Sequence, residues 1–191
     1  GLVKREVVEV LTPGTSMNNE FLKVKENNFC MSVWVEENRA GIALVDVSTG
    51  DFLAGEEELD LVQYLIQGNR VREIVCPKWI DDSVIAPLSE VIGAPVVTRL
   101  DDDISGAEEA ERAIAVQFGE EAVTAFEKTG PRGVRAAGVL LSHCQSLKPG
   151  AMAQVSKVES LGQIEFLALD EETIRNLELF EPLYGADNKA T

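Results

Sequence analysis

The groups to weigh first for chemistry are Asp46, the single histidine His143, and the thiols Cys30, Cys76 and Cys144. Asp46 lies in Leu44-Val45-Asp46-Val47, an apolar run that reads as a strand. A carboxylate on a strand is one element of divalent-metal phosphodiester hydrolysis, but two-metal chemistry needs several converging carboxylates. The next apolar run, Ile74-Val75-Cys76, offers none at its tip and has Glu73 at its start. Because Ser48-Thr49-Gly50-Asp51 follows Asp46, the simpler expectation is a side chain that orders a tight turn. His143 and Cys144 supply one imidazole and one thiol without a third ligand, which makes neither a zinc site nor a nucleophile pair. Thr12-Pro13-Gly14-Thr15 lacks the lysine and second glycine of a phosphate-binding loop. Trp34 and Trp79 stand singly in apolar contexts, as core or subunit contacts rather than base-stacking platforms. The residues alone therefore predict no catalytic group, no cofactor site and no metal site in this segment.

The elements that would position these groups can be read from periodicity. Val3 to Val10 alternates as a first strand and stops at Thr12-Pro13-Gly14-Thr15, a turn sequence. Phe29–Val35, Ile42–Val47 and Asp51–Ala54 follow at hairpin spacing and predict an antiparallel meander. Behind the acidic run Glu56-Glu57-Glu58, the residues Leu59, Val62, Leu65 and Ile66 fall at helical spacing, with a stop at Gly68-Asn69. Ile74–Cys76 reads as a short buried strand ended by Pro77. Next come a helix over 84–92, with Pro87 in or near its first turn, and a short strand at Pro95–Thr98. Helices follow over 105–118 and 132–145. A meander followed by alternating helix and strand predicts an α/β fold, a mixed sheet flanked by helices of ribonuclease-H-like type. From Ser146 to Gly162 the composition turns to Lys, Pro, Gly, Ala, Gln and Ser and reads as an extended linker. Asp170-Glu171-Glu172-Thr173 then opens a short helix carrying Ile174, Leu177 and Phe180. The expected division is 1–145 for the α/β unit and 146–191 for the linker and helical segment.

Composition narrows the function further. Hydrophobic residues make up 45% of the 191 and aromatics only 6%, so the core must be largely aliphatic, and the chain is long enough to build one. The three cysteines form no C-x-x-C pair and read as buried, reduced thiols, which points to a cytoplasmic setting. No apolar run approaches the roughly 20 residues of a membrane span. The start at Gly1 rather than at a methionine suggests a segment excised from a longer chain. The net charge is −16, and most acidic clusters sit at predicted helix starts, where carboxylates oppose the helix dipole. Basic residues form no patch able to neutralise phosphates, so the segment alone is not expected to hold DNA.

Four stretches, in order, resemble the middle of the MutS family. Arg5-Glu6-Val7-Val8-Glu9-Val10-Leu11-Thr12-Pro13-Gly14-Thr15 is similar to the strand and TPGT turn that open its connector domain. Gly41-Ile42-Ala43-Leu44-Val45-Asp46-Val47-Ser48-Thr49-Gly50-Asp51-Phe52 resembles that domain's central hairpin. Gln117-Phe118-Gly119 and the helical Ala136-Ala137-Gly138-Val139-Leu140-Leu141 form the third. Leu169-Asp170-Glu171-Glu172-Thr173-Ile174-Arg175-Asn176-Leu177-Glu178-Leu179 looks like the start of the lever domain. Ser142-His143-Cys144 departs from the family pattern, in which an aromatic residue is expected.

The resemblance implies that the intact protein is a homodimeric, DNA-dependent ATPase that uses ATP and Mg to recognise mispaired bases. It implies a non-catalytic connector and allosteric role for this segment, which joins the mismatch-reading domain to the core, relays conformational change and docks a MutL-type partner. DNA, ATP and Mg would be held by other domains: the chain has no Phe-x-Glu wedge, no Walker A sequence and no long clamp helices. In the helix over 105–118, the stripe Ala107, Ala110, Ile114 and Phe118 is read as buried. That turns Glu109, Arg112, Ala113 and Val116 outward as the candidate docking face. The short tail helix is expected to pack on the connector or on a second copy. Two alternatives remain open at this point: a metal-dependent nuclease centred on Asp46, and a free-standing protein-interaction domain.

Overall fold

A computed structural model describes residues 12–14, 28–90, 94–101, 106–147, 150, 152–156 and 158–161. The expected first strand at Val3–Val10 and the tail helix opened by Asp170 lie outside the described residues.

Three strands form the meander: β1 (Phe29–Glu36), β2 (Arg39–Asp46) and β3 (Asp51–Glu58), each antiparallel to the one before. Helix α1 (Leu59–Gly68) leads to β4 (Val71–Pro77), which returns parallel to β1 with Cys30 opposite Glu73. Helix α2 (Asp82–Ser89) then connects to β5 (Val96–Leu100), parallel to β4. Helices α3 (Ala107–Phe118), α4 (Glu120–Glu127) and α5 (Pro131–Leu147) follow, and a two-residue strand, β6 (Glu159–Ser160), adds in parallel to β3. The strand order is β5-β4-β1-β2-β3-β6. This is a six-stranded mixed sheet flanked by helices, the α/β class expected.

Both faces of the sheet are covered, which explains why the central strands read as continuous apolar runs rather than strict alternations. Met31, Val33, Ile42 and Leu44 pack towards α1 and α2 with Val62, Leu65, Ile66 and Ile85. On the other face Cys30, Trp34, Ala43, Val45 and Phe52 pack with Ala110, Ile114, Ala137, Leu140 and Leu141 of α3 and α5. Phe52 meets Phe118 and Phe126 edge-on, at centroid distances of 5.4 and 6.1 Å. Cys30, Cys76 and Cys144 are free thiols, all buried. No described helix is long and apolar enough to cross a membrane.

Several elements differ from expectation. Strand β3 continues through Gly55 to Glu58, because its pairing with β2 persists to Arg39–Glu58. The acidic run Glu56–Glu58 therefore ends a strand instead of opening α1. Glu56 still serves a helix start, that of α5: its Oε1 accepts the Arg132 N–H at 2.9 Å. Helix α2 begins at Asp82 behind an Asp81 cap that accepts Ser83 N–H at 2.7 Å, which puts Pro87 beyond the first turn. Helix α4 was not foreseen; Gly119, at φ +91°, breaks the chain between it and α3.

The segment expected as an extended linker is packed where it is described. Met152, Val155 and Leu161 are buried. Gln117 Nε2 donates to the carbonyls of Met152 and Val155, both at 2.8 Å. In α3 the buried residues are Ala110, Ala113 and Ile114, while Ala107 is exposed. The buried stripe is thus rotated from the expected one, because α3 packs against α5 and α4.

Candidate functional site

Asp46 closes β2 with its side chain fully buried. Its Oδ2 accepts the Asn28 N–H at 2.8 Å, and its Oδ1 accepts both the Ser48 N–H at 2.8 Å and the Ser48 hydroxyl at 2.6 Å. The Asp46 carbonyl accepts the Gly50 N–H at 2.8 Å, with Gly50 at φ +85°. Both oxygens are engaged by protein donors, the arrangement of a turn organiser, and among the described residues Asp46 belongs to no cluster of three potential metal ligands. Asp46→Asn would place an NH2 group against one of these donors. We expect a loss of about 1–3 kcal/mol, the usual cost of an unsatisfied buried polar group, read as a lower urea midpoint. The same variant would leave phosphodiester cleavage at background level with Mg or Mn.

A second buried carboxylate, Glu73, joins elements that are distant in sequence. It sits on β4 beside Cys30 of β1, fully inaccessible to solvent. Its Oε1 accepts the Thr98 hydroxyl at 2.8 Å from β5, and its Oε2 accepts the Gly14 N–H at 3.2 Å. The Thr12 hydroxyl also donates to it. The Pro13-Gly14 turn is held in addition by Asn28 Nδ2, which donates to the Pro13 carbonyl at 3.0 Å. Gly14 is required here by close approach: a Cβ at this position would fall 2.7 Å from Cys30 Cβ and 2.9 Å from Glu73 Cβ.

From α5, His143 Nε2 comes to 3.3 Å from Glu73 Oε1. It is close enough for charge attraction but out of line for a hydrogen bond, and it is left without a hydrogen-bond partner although His143 is only 4% exposed. Burial pushes the Glu73 carboxyl up, but the neighbouring side chains of His143, Thr12 and Thr98 outweigh it. The net effect holds the group below the usual glutamate value. The Cys30 thiol is raised well above the ordinary range by its hydrogen bond with Cys144, by burial, and by the nearby Cys144 and Glu73. Asp46 and Glu73 were thus both visible in the sequence, but the grouping of Glu73 with His143 and Cys30 was not. The available signal was a charged residue inside a doubly covered strand, since a buried charge requires a partner.

At the opposite end of β1 and β2, Arg132 reaches Glu36 at 3.4 Å and Glu56 at 3.5 Å. The Arg135 guanidinium lies 5.1 Å from the Trp34 ring centroid, and Trp79 stacks edge-on at 5.0 Å from it. Trp34 is buried, whereas Trp79 is half-exposed at the surface.

Of the expected docking residues, Glu109, Arg112 and Val116 are exposed on α3, with Val116 at 73%. Ala113 is not among them, because it is buried in the core. Arg112 and Val116 line a shallow groove between α3 and α4 with Glu108, Glu111, Glu120 and Val123.

Comparison with known proteins fits the four-stretch resemblance. Proteins named DNA mismatch repair protein MutS are similar over the whole chain: 34% identical in Anaeromyxobacter sp. (strain K) and 29% in Dehalococcoides mccartyi (strain ATCC BAA-2266 / KCTC 15142 / 195). The same-named protein of Solibacter usitatus (strain Ellin6076) is 30% identical over 97% of the chain. The chain spans 21–22% of the length of these relatives. Residues 28–158 match the family described as MutS domain II. They take in the whole meander, the Asp46 turn, the Glu73 cluster and the α3–α4 groove, and the chain belongs to the MutS domain II family.

Proposed function

We propose that this chain is the connector module of a mismatch-repair protein, a unit without chemistry of its own that joins a mismatch-reading domain to the core. The observation that carries this reading is the domain II match over 28–158, within relatives about five times longer. In the intact protein, ATP, Mg and mismatched DNA would be held by other domains, two copies would form a homodimer, and the setting would be the cytoplasm. The packing of Met152, Val155 and Leu161 on the sheet supports a connector that continues past 145, with the lever segment beginning beyond Leu161. The rival nuclease reading is disfavoured because, among the described residues, Asp46 belongs to no cluster of potential metal ligands.

The groove between α3 and α4 is the proposed docking face for a MutL-type partner. Val116 offers an apolar tip among Glu108, Glu111 and Glu120. That pattern suits a partner with an apolar contact ringed by basic residues, because complementary charge steers encounter and apolar burial holds the complex. Val116→Glu is expected to weaken binding of the MutL-type partner at least about tenfold, equivalent to about 1.4 kcal/mol. Its folding stability should stay within about 0.5 kcal/mol, as for an ordinary surface substitution. Surface-immobilised chain and purified partner, together with urea unfolding, measure both. Unchanged binding in a folded variant would remove this face from the proposal.

A further inference from the structure

The sequence offers His143 and Cys144 without further ligands, but the fold supplies them. Cys30 Sγ, a Glu73 carboxylate oxygen and a His143 ring nitrogen all lie within 4.8 Å of one another, and all three residues are buried. They come from β1, β4 and α5. We propose that Cys30, Glu73 and His143 form a binding site for a thiophilic divalent cation of the zinc class.

Three observations favour a cation over a plain polar cluster. The first is the spacing: 3.3 Å between His143 Nε2 and Glu73 Oε1 is close to the separation of two ligands on one tetrahedral ion, given metal–ligand bonds of about 2.0–2.2 Å. The second is His143 Nε2 itself, a buried nitrogen aimed at the carboxylate with no hydrogen-bond partner. A cation between the two groups would give this nitrogen and the carboxylate a shared partner. The third is the support behind Glu73, whose carboxylate is oriented by the Thr98 hydroxyl and the Gly14 N–H, as outer hydrogen bonds orient metal ligands. The ligand set, sulfur and imidazole with one carboxylate, suits Zn in preference to Mg or Ca, which take oxygen ligands. Binding would release the Cys30 proton to solvent, and the buried ion would hold the turn at Gly14, the sheet and α5 together.

Cobalt(II) is the probe, because it replaces zinc in tetrahedral sites and is coloured. The chain, stripped with chelator and kept reduced, is titrated with Co2+ both folded and during refolding from urea. The expected result is saturation at one ion per chain, with visible bands of tetrahedral cobalt and a near-ultraviolet thiolate-to-cobalt band. Added Zn2+ should abolish these bands, and the unfolding midpoint should rise with free Zn2+. Cys30→Ser should lose the thiolate band and His143→Gln should lose saturable binding. Cys76→Ser, a buried thiol outside the cluster, should keep the spectrum. If wild-type protein, folded by circular dichroism, gives only the aqueous cobalt spectrum in both protocols, the cluster is a metal-free ion pair and the proposal is wrong. A thiolate band that survives in folded Cys30→Ser would place the cation elsewhere and overturn it equally.

Discussion

Glu73→Ala is expected to remove about 3–5 kcal/mol of stability, the range found when one partner of a buried ionic pair is deleted. The loss has several parts. The buried Gly14 N–H and the half-buried Thr98 hydroxyl each lose an acceptor. His143 is left buried without the carboxylate 3.3 Å from its Nε2. A domain of this size is stable by only about 5–15 kcal/mol in total, so the variant should be marginal at room temperature. Urea unfolding in chelator, followed by circular dichroism, should give a much lower midpoint with the slope unchanged. Glu73→Gln keeps the volume and one acceptor, and should fall between the two. A loss under about 1 kcal/mol for the alanine variant, a typical net value for a single hydrogen bond, would mean that the cluster is not a hub of the fold.

The second large effect belongs to Gly41. In β2 this residue lies beneath the first turn of α5, and a Cβ there would fall 2.0 Å from the Arg132 carbonyl oxygen and 2.1 Å from its carbon. These are backbone atoms, so no side-chain rotation relieves the clash. The helix cannot back away freely, because Glu56 accepts the Arg132 N–H and also pairs with its guanidinium. Gly41→Ala should therefore cost about 3 kcal/mol or more, at the upper end for overpacking, and lower Tm by about 10 °C. Gly68→Ala serves as the control. Nothing lies within 4 Å of a Cβ at that position, which closes a helix, so stability should be unchanged or higher by up to about 1 kcal/mol. Differential scanning calorimetry on the pair decides whether close backbone approach, and not glycine content as such, fixes the seating of α5.

How much of this was legible depended on the distance over which a residue finds its partners. The strands at Phe29–Val35 and Ile42–Val47 announce themselves because both sheet faces are covered. The Asp46 turn is legible because Ser48 and Gly50 lie within four residues of it. Glu73 and His143 are different: their meeting requires the parallel return of β4 beside β1 and the passage of α5 over both, and neither leaves a local spacing. Ala113 was misplaced because a helix packed against two other helices buries a wider arc than one stripe predicts. Helix α4 buries only Phe126 fully, too little to set a period. In the segment after α5, the buried Met152, Val155 and Leu161 are isolated among small and polar residues, so composition alone suggested a tether.

The crossing of α5 over the meander has a consequence for how the protein comes into being on the ribosome. Strands β1 to β3 need only their hairpin neighbours and can pair as soon as they emerge. Their cover is made much later: the Ser32 hydroxyl donates to the Ala136 carbonyl at 2.6 Å, a partner 104 residues further along. At about 5–20 residues per second, the apolar side of the nascent sheet stands bare for on the order of 5–20 s. Slow translation between β3 and α5 should lengthen the interval in which nascent chains can associate, and a holding chaperone should matter most within it.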